Sequence, residues 1–350
     1  MKIVTILGAR PQFIKAAPVC HALKQNGCEE ILVHTGQHYD ANMSEIFFRE
    51  LSIPAPSVNL NVGSGGHGKQ TGEMLAKIEE ILLTHKPDKV LVYGDTNSTL
   101  AGALAACKLG IPIAHVEAGL RSFNRSMPEE HNRVLTDHCS DLLFCPTQTA
   151  VNHLAFEGIR NGVHLVGDTM FDAVLSFREL ARSRSDAMKK FGLKPKNFYL
   201  ATIHRPYNTD DPVALESAMK ALGSLGHQVL FPVHPRTRPK LQSLSLASNI
   251  QLCDPLGYLD MLLLQEEARV VLTDSGGVQK ESFFLKTPCV TLRTETEWVE
   301  TVQAGWNIVT GVDSSAIQKA VEQFERNPPL TPPDYFGSGD AAARIVRILA

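Results

Sequence analysis

The chain has 350 residues, 43% of them hydrophobic and 20% charged, with a formal net charge of −3. This is the balance of a soluble globular protein long enough for two ordinary domains, and it offers no basic surface for a nucleic acid. No apolar run reaches the length of a membrane span, so no membrane association is expected.

Met1–Leu7 is too short for a signal peptide and reads as a first strand ending at Gly8. Strands are also expected at residues 30–34, 89–93, 112–116 and 141–145, with helical patterns between them at 70–83 and 100–109. Residues 161–168 read as the crossing into a second half, which opens on the polar stretch 183–197. Strands follow at 198–203, 228–231, 270–273 and 288–292, with helices at 212–225, 258–266 and 278–285, and a last helical segment at 339–349. Alternating strands and helices of this kind predict an α/β protein with two Rossmann-like doubly wound domains and an interdomain cleft at the strand ends. The expected boundaries are 1–166 for the amino-terminal domain, 167–338 for the carboxyl-terminal domain, and 339–350 for a helix able to return to the first. Seven cysteines, at 20, 28, 107, 139, 145, 253 and 289, form no CxxC pair. They read as reduced thiols of a cytoplasmic protein, and no metal site is expected.

Chemistry-bearing residues gather where strands end, which is where open parallel sheets bind ligands. The plainest case is Thr273-Asp274-Ser275-Gly276-Gly277-Val278-Gln279-Lys280-Glu281. A strand, a Ser-Gly-Gly turn and a helix start together present free N–H groups and a favourable dipole to an anion. Glu281, about one helical turn in, suits a ribose diol. In the first half, Arg10 and Lys15 place two cations near a helix start, and Asp95, Glu117 and Glu129 supply three carboxylates. Glu129 and Arg133, four apart, share a helix face, either as a plain ion pair or as a base beside its orienting cation. Three carboxylates converging on one region favour acid–base work. In the second half His204, His234 and Arg236 follow strands expected to flank the Ser275–Gly277 turn, a combination suited to a pyrophosphate.

With these residues assembled, the chain resembles the non-hydrolysing UDP-N-acetylglucosamine 2-epimerase family along nearly its whole length. The segments GARPQFIK, HTGQHYD, GDTNST, EAGLRS, MPEEHNR, HRPYN, HPR, TDSGGVQKE and GSGDAAARI stand in the family's order. The resemblance implies the glycosyltransferase-B architecture, a homodimer, no cofactor, and a reaction on a UDP-sugar in service of surface polysaccharide. A base removes the C2 proton while UDP leaves C1; the resulting 2-acetamidoglucal is reprotonated from the other face as UDP adds back. Position by position it implies Asp95, Glu117 and Glu129 as acid–base carboxylates and His204 near the diphosphate. Arg10, Lys15 and Arg133 become charged active-site groups, Ser275, Gly276 and Gly277 the phosphate turn, and Glu281 the ribose contact. His234 and Arg236 fall in the nucleotide-side loop.

Departures from the family pattern are informative. The usual His-Arg-X-Glu-Asn reads His204-Arg205-Pro206-Tyr207-Asn208, and the start has Gln12 in place of the commoner Glu. His38-Tyr39-Asp40 and Thr296–Glu300 lean toward the branch acting on UDP-2,3-diacetamido-2,3-dideoxy-glucuronate. Gln37-His38-Tyr39 differs from the segment of substrate-activated members. A glycosyltransferase of the same architecture, a hydrolysing relative and a UDP-sugar sensor are the alternatives.

Overall fold

The protein is described by a computed structural model covering residues 1–37, 53–235 and 237–350. The expectations placed on His38, Tyr39, Asp40 and Arg236 lie outside the described residues, as does the side chain of Arg10. The chain forms two compact units, one of Met1–Ser176 with Asp334–Ala350, the other of Phe177–Pro333.

The first unit is built on a parallel sheet of β1 (Lys2–Leu7), β2 (Glu29–His34), β3 (Val58–Asn59), β4 (Lys89–Tyr93), β5 (Ile113–Val116), β6 (Leu142–Cys145) and β7 (Val163–Leu165). Their order is β3-β2-β1-β4-β5-β6-β7. Runs such as Val90–Tyr93 are buried at every position, as strands covered by helices on both faces must be. Helix His67–His85 turns Met74, Ile78 and Leu82 into this core, a four-residue spacing that keeps one face inward. Gly8, at the end of β1, lies so close to its neighbours that a Cβ there would stand 2.0 Å from Ser98 Oγ and 2.2 Å from Thr35 Oγ1. Only glycine fits.

The second unit repeats the plan with β8 (Phe198–Thr202), β9 (Gln228–Pro232), β10 (Ile250–Cys253), β11 (Val270–Thr273), β12 (Cys289–Thr291) and β13 (Asn307–Val309). All neighbours are parallel, in the order β10-β9-β8-β11-β12-β13. In each unit the winding direction reverses beside the first strand, between β1 and β4 and between β8 and β11. Ligands of doubly wound sheets bind in the crevice beyond the strand ends at that reversal.

Four short strands escaped the sequence pattern: β3, β7, β10 and β13. Two to four residues hold too little periodicity to stand out. Residues 161–168, read above as the crossing, hold β7, whose Val163–Leu165 pairs with Leu143–Cys145 of β6. The two units divide further on, within helix Thr169–Arg184. The last helix, Ala341–Leu349, buries Ala341, Ala342, Ile345, Val346 and Leu349, and packs on helix Arg10–Gln25 of the first unit.

The start of that last helix is held by Asp172, whose carboxylate accepts the N–H groups of Ala341 (3.2 Å) and Ala342 (2.7 Å). Burial pushes the Asp172 carboxyl up to about 6; the two backbone bonds work against the rise, and Asp168 and Asp340 add to it. An aspartate in an unfolded chain titrates near about 4, so the folded state holds this proton the more tightly. The stability it contributes is complete below about pH 4 and is lost as pH rises through about 6. Asp172→Asn, which cannot ionise, should therefore gain on the wild type by about 1–2 kcal/mol between pH 4 and pH 7. Urea unfolding midpoints of both proteins at the two pH values measure this, and parallel pH profiles would contradict it.

Candidate active site

In the first unit, charged side chains fill the carboxyl ends of β1, β4 and β5. Glu117 follows β5 with φ +71°, a backbone region that costs a branched or long residue energy and recurs at functional sites. Its side chain is buried and ion-pairs with Lys15 Nζ from helix Arg10–Gln25. Gly94, itself at φ +63°, makes room for the pair: a Cβ there would lie 3.2 Å from Glu117 Oε2 and 3.7 Å from Lys15 Nζ. Lys15, one of the two cations placed near this helix start, thus lies on a carboxylate of its own chain. The N–H groups of Gly8 and Ala9, at the same helix start, donate to Gln12 Oε1 at 2.8 and 3.0 Å. Gln12 Nε2 then donates to Tyr93 O at 2.7 Å, tying the end of β1 to that of β4.

Asp95 is partly exposed and ion-pairs with Arg133. The second carboxylate on that guanidinium is Glu130, at 2.7 Å, one residue beyond the Glu129 singled out in the sequence. Glu130 also accepts from Ser122 N and Oγ and from Phe123 N, all at 2.9 Å. Burial alone would raise Glu130, but the Ser122 and Phe123 bonds and the Arg133 charge outweigh it and hold its carboxyl below the usual range. Glu129 itself is half-buried in the first turn of helix Pro128–Cys139.

Behind these groups lies a buried layer that sequence reasoning missed. His115, in β5, sets its two ring nitrogens 2.7 Å from Asp137 Oδ1 and 2.7 Å from Gly94 O. Asp137 also accepts from Arg121 Nη1 (2.7 Å) and Gly119 N (3.1 Å). Burial raises the Asp137 carboxyl, yet His115 and Arg121 bring it below its ordinary value. Arg121 closes two further bonds on Glu157, each 2.7 Å. The available signal was His115 within the apolar strand Ile113–Val116, since a polar side chain is buried only where it is partnered; Asp137, between Thr136 and His138, gave none.

In the second unit the end of β8 is pinned to the end of β11 by Asp274. This fully buried carboxylate accepts from His204 N (3.1 Å), Arg205 N (3.0 Å) and Asn208 Nδ2 (3.0 Å), and His204 Nδ1 lies 3.2 Å from it. His204 stands exposed on this support. Helix Gly276–Phe284 begins immediately after Ser275, whose side chain makes no capping bond. Its first turn-closing bond is Gln279 N to Ser275 O at 3.2 Å, so the amides of Gly276, Gly277 and Val278 precede the helical ladder. This start differs from the one at Arg10: its N-cap residue Ser275 makes no side-chain cap bond, and it has the form of an anion site. Glu281 is buried, with Gln265 Nε2 at 2.8 Å from Oε2. Tyr207 is half-exposed among Arg205, Arg293, Asp274 and Glu297; burial raises its hydroxyl, and the two arginines moderate the rise. His234 is exposed beyond β9. Among the described residues no cluster of three or more His, Cys, Asp or Glu suited to a metal occurs.

Two Rossmann-ordered units, one ending in a lattice of carboxylates and cations and the other in an uncapped glycine turn, define the glycosyltransferase-B class of nucleotide-sugar enzymes. A family model described as UDP-N-acetylglucosamine 2-epimerase matches residues 21–350, and the chain belongs to this family. It is 54% identical over its full length, and 99% of the relative's, to a UDP-N-acetylglucosamine 2-epimerase homolog of Methanococcus maripaludis. It is 51% identical, with the same coverage, to the UDP-2,3-diacetamido-2,3-dideoxy-D-glucuronate 2-epimerase of Pseudomonas aeruginosa. A crystal structure of the Methanocaldococcus jannaschii UDP-GlcNAc 2-epimerase in complex with UDP-GlcNAc and UDP matches with TM-score 0.92 at 45% identity, covering 100% of this chain and 99% of that one.

Arg133 is the cation on which two carboxylates of the first unit depend. Arg133→Met keeps the volume and leaves Glu130 and Asp95 without the guanidinium. The expected loss is about 3 kcal/mol, because a buried carboxylate is stripped of its partner. Chemical denaturation reads it; a loss below about 1 kcal/mol would show that the lattice is held elsewhere.

Proposed function

We propose that the protein is a non-hydrolysing UDP-N-acetylglucosamine 2-epimerase, converting UDP-N-acetylglucosamine and UDP-N-acetylmannosamine into one another. The observation that carries this reading is Glu117. A non-glycine residue, and an acidic one, is held in left-handed backbone, on a lysine, at a strand end beside the reversal where doubly wound sheets bind ligands. Strain of that sort persists only where the surroundings enforce it, and it clusters at sites of chemistry.

The sugar's C2 hydrogen is not acidic, since no carbonyl adjoins it. The elimination route avoids a free carbanion: a carboxylate takes the C2 proton, the C2 electron pair forms the C1–C2 double bond, and the C1–O bond breaks to release UDP. Reprotonation from the opposite face and return of UDP to C1 complete the change. Asp95, Glu117 and Glu129 are the proposed acid–base groups, with Lys15 and Arg133 orienting Glu117 and Asp95, and Arg10 a further cation. In the second unit the Gly276–Val278 amides and His204 hold the diphosphate as charge develops on it, His234 and Arg236 are the proposed nucleotide-side contacts, and Glu281 accepts from the ribose. This support for the leaving group needs no metal or cofactor. The reading extends to a cytoplasmic homodimer that supplies a surface polysaccharide; the seven free thiols support the compartment.

A second substrate, the diacetamido glucuronate, is favoured by the Pseudomonas relative and by Tyr207. With tyrosine where the family motif has glutamate, one negative charge is gone beside Arg205 and Arg293, which suits a sugar bearing its own carboxylate.

Incubation with each UDP-sugar in D2O tests both readings. One deuterium at C2 of the epimerised product is expected, and the ratio of kcat/KM for the two sugars identifies the substrate. Asp95→Asn and Glu117→Gln should each lower kcat by about 100-fold or more. Absence of both exchange and epimer with either sugar would refute the assignment.

A further inference from the structure

Glu117 keeps a left-handed backbone, so its surroundings must hold the turn that follows β5. The N–H groups of Glu117 and Ala118 both donate to Phe144 O, each at 3.1 Å. The next N–H, that of Gly119, donates to Asp137 Oδ2 at 3.1 Å. The turn is therefore tied on one side to the end of β6 and on the other to a side chain of helix Pro128–Cys139.

The loop that carries Asp95 is held in a matching way. Asp95 sits between two peptide carbonyls, and a side chain donates to each. His115 Nε2 donates to Gly94 O at 2.7 Å, since a carbonyl oxygen only accepts. Asn132 Nδ2 donates to Asp95 O at 2.9 Å. The other ring nitrogen of His115, Nδ1, lies 2.7 Å from Asp137 Oδ1. Gly119 N, the Asp137 carboxylate, the His115 ring and Gly94 O thus form one unbroken chain of hydrogen bonds between the two loops. Both side chains of the chain are fully buried, where water does not compete for their bonds. Arg121 Nη1, 2.7 Å from Asp137 Oδ2, supplies charge that the buried carboxylate needs.

We propose that His115 and Asp137 are positioning residues of the epimerisation: as one buried bridge they hold the Gly94–Asp95 loop and the Glu117–Gly119 turn in a fixed relation. The inference rests on the reading of Asp95 and Glu117 as acid–base groups. The bridge acts through the backbone that carries those carboxylates, not by contact with the sugar. A misplacement of about 1 Å can cost a reaction about 100-fold in rate. Loss of the bridge therefore appears in turnover, while UDP affinity, assigned to the second unit, is kept.

Turnover of the full chain on whichever of the two UDP-sugars it converts, with calorimetric titration by UDP, separates this role from a merely structural one. Asp137→Leu is close in volume and breaks the bridge. It should lower kcat about 100-fold, with KM and UDP affinity within about threefold of wild type. Asp137→Asn can keep the bridge: its Oδ1 accepts from Gly119 N and Arg121, and its Nδ2 donates to His115 Nδ1. It should hold kcat within about fivefold of wild type. His115→Phe removes both ring donors and leaves Asp137 on Arg121. It should lower kcat about 30-fold, and it carries the test if the leucine variant does not fold. Wild-type kcat in Asp137→Leu or His115→Phe overturns the inference, as does a loss of UDP affinity equal to the loss of kcat. If Asp95→Asn and Glu117→Gln themselves keep wild-type turnover, the acid–base reading fails and this inference with it.

Discussion

Charge buried at the ends of parallel strands is the constraint from which the rest of the molecule follows. Parallel strands all finish on one edge, and the loops there must carry polar groups that the hydrophobic layers beneath cannot satisfy. In the first unit the solution is mutual: Lys15 with Glu117, Arg133 with Asp95 and Glu130, Arg121 with Asp137 and Glu157. Remove one member and its partner is left costly in a low-dielectric setting. The lattice ties each side chain to a charged partner, the kind of positioning that proton transfer demands.

The second unit meets the same constraint differently. Asp274 commits its carboxylate to the backbone of the β8 loop, so that loop is tied to the segment that opens the glycine turn. The helix start is left without a side-chain cap, while the start at Arg10 is closed by Gln12. One strand order therefore yields two chemistries: a unit rich in paired side chains suited to moving protons, and a unit offering backbone amides suited to a phosphate.

Much of this was legible in the sequence. Short apolar stretches located β1, β4 and β11, and the glycine turn announced itself through residue type alone. The short strands β3, β7, β10 and β13 were not legible, because their pairing is decided by the neighbouring strand rather than by their own pattern. The carboxylates were found as types at strand ends, but not their partners. Glu130 sits three residues before Arg133, a spacing as good as that of Glu129, and only the turn of helix Pro128–Cys139 shows that it is Glu130 that also gathers the Ser122 and Phe123 amides. His115, Asp137 and Gln265 meet partners 16 to 22 residues away in sequence, pairings that no local pattern encodes.

The backbone of Glu117 sets two demands against each other. Glycine would relax its torsion, yet it would strand Lys15 without its counter-charge. Torsion and ion pair therefore behave as one unit, and no single substitution at this position relieves the first without sacrificing the second.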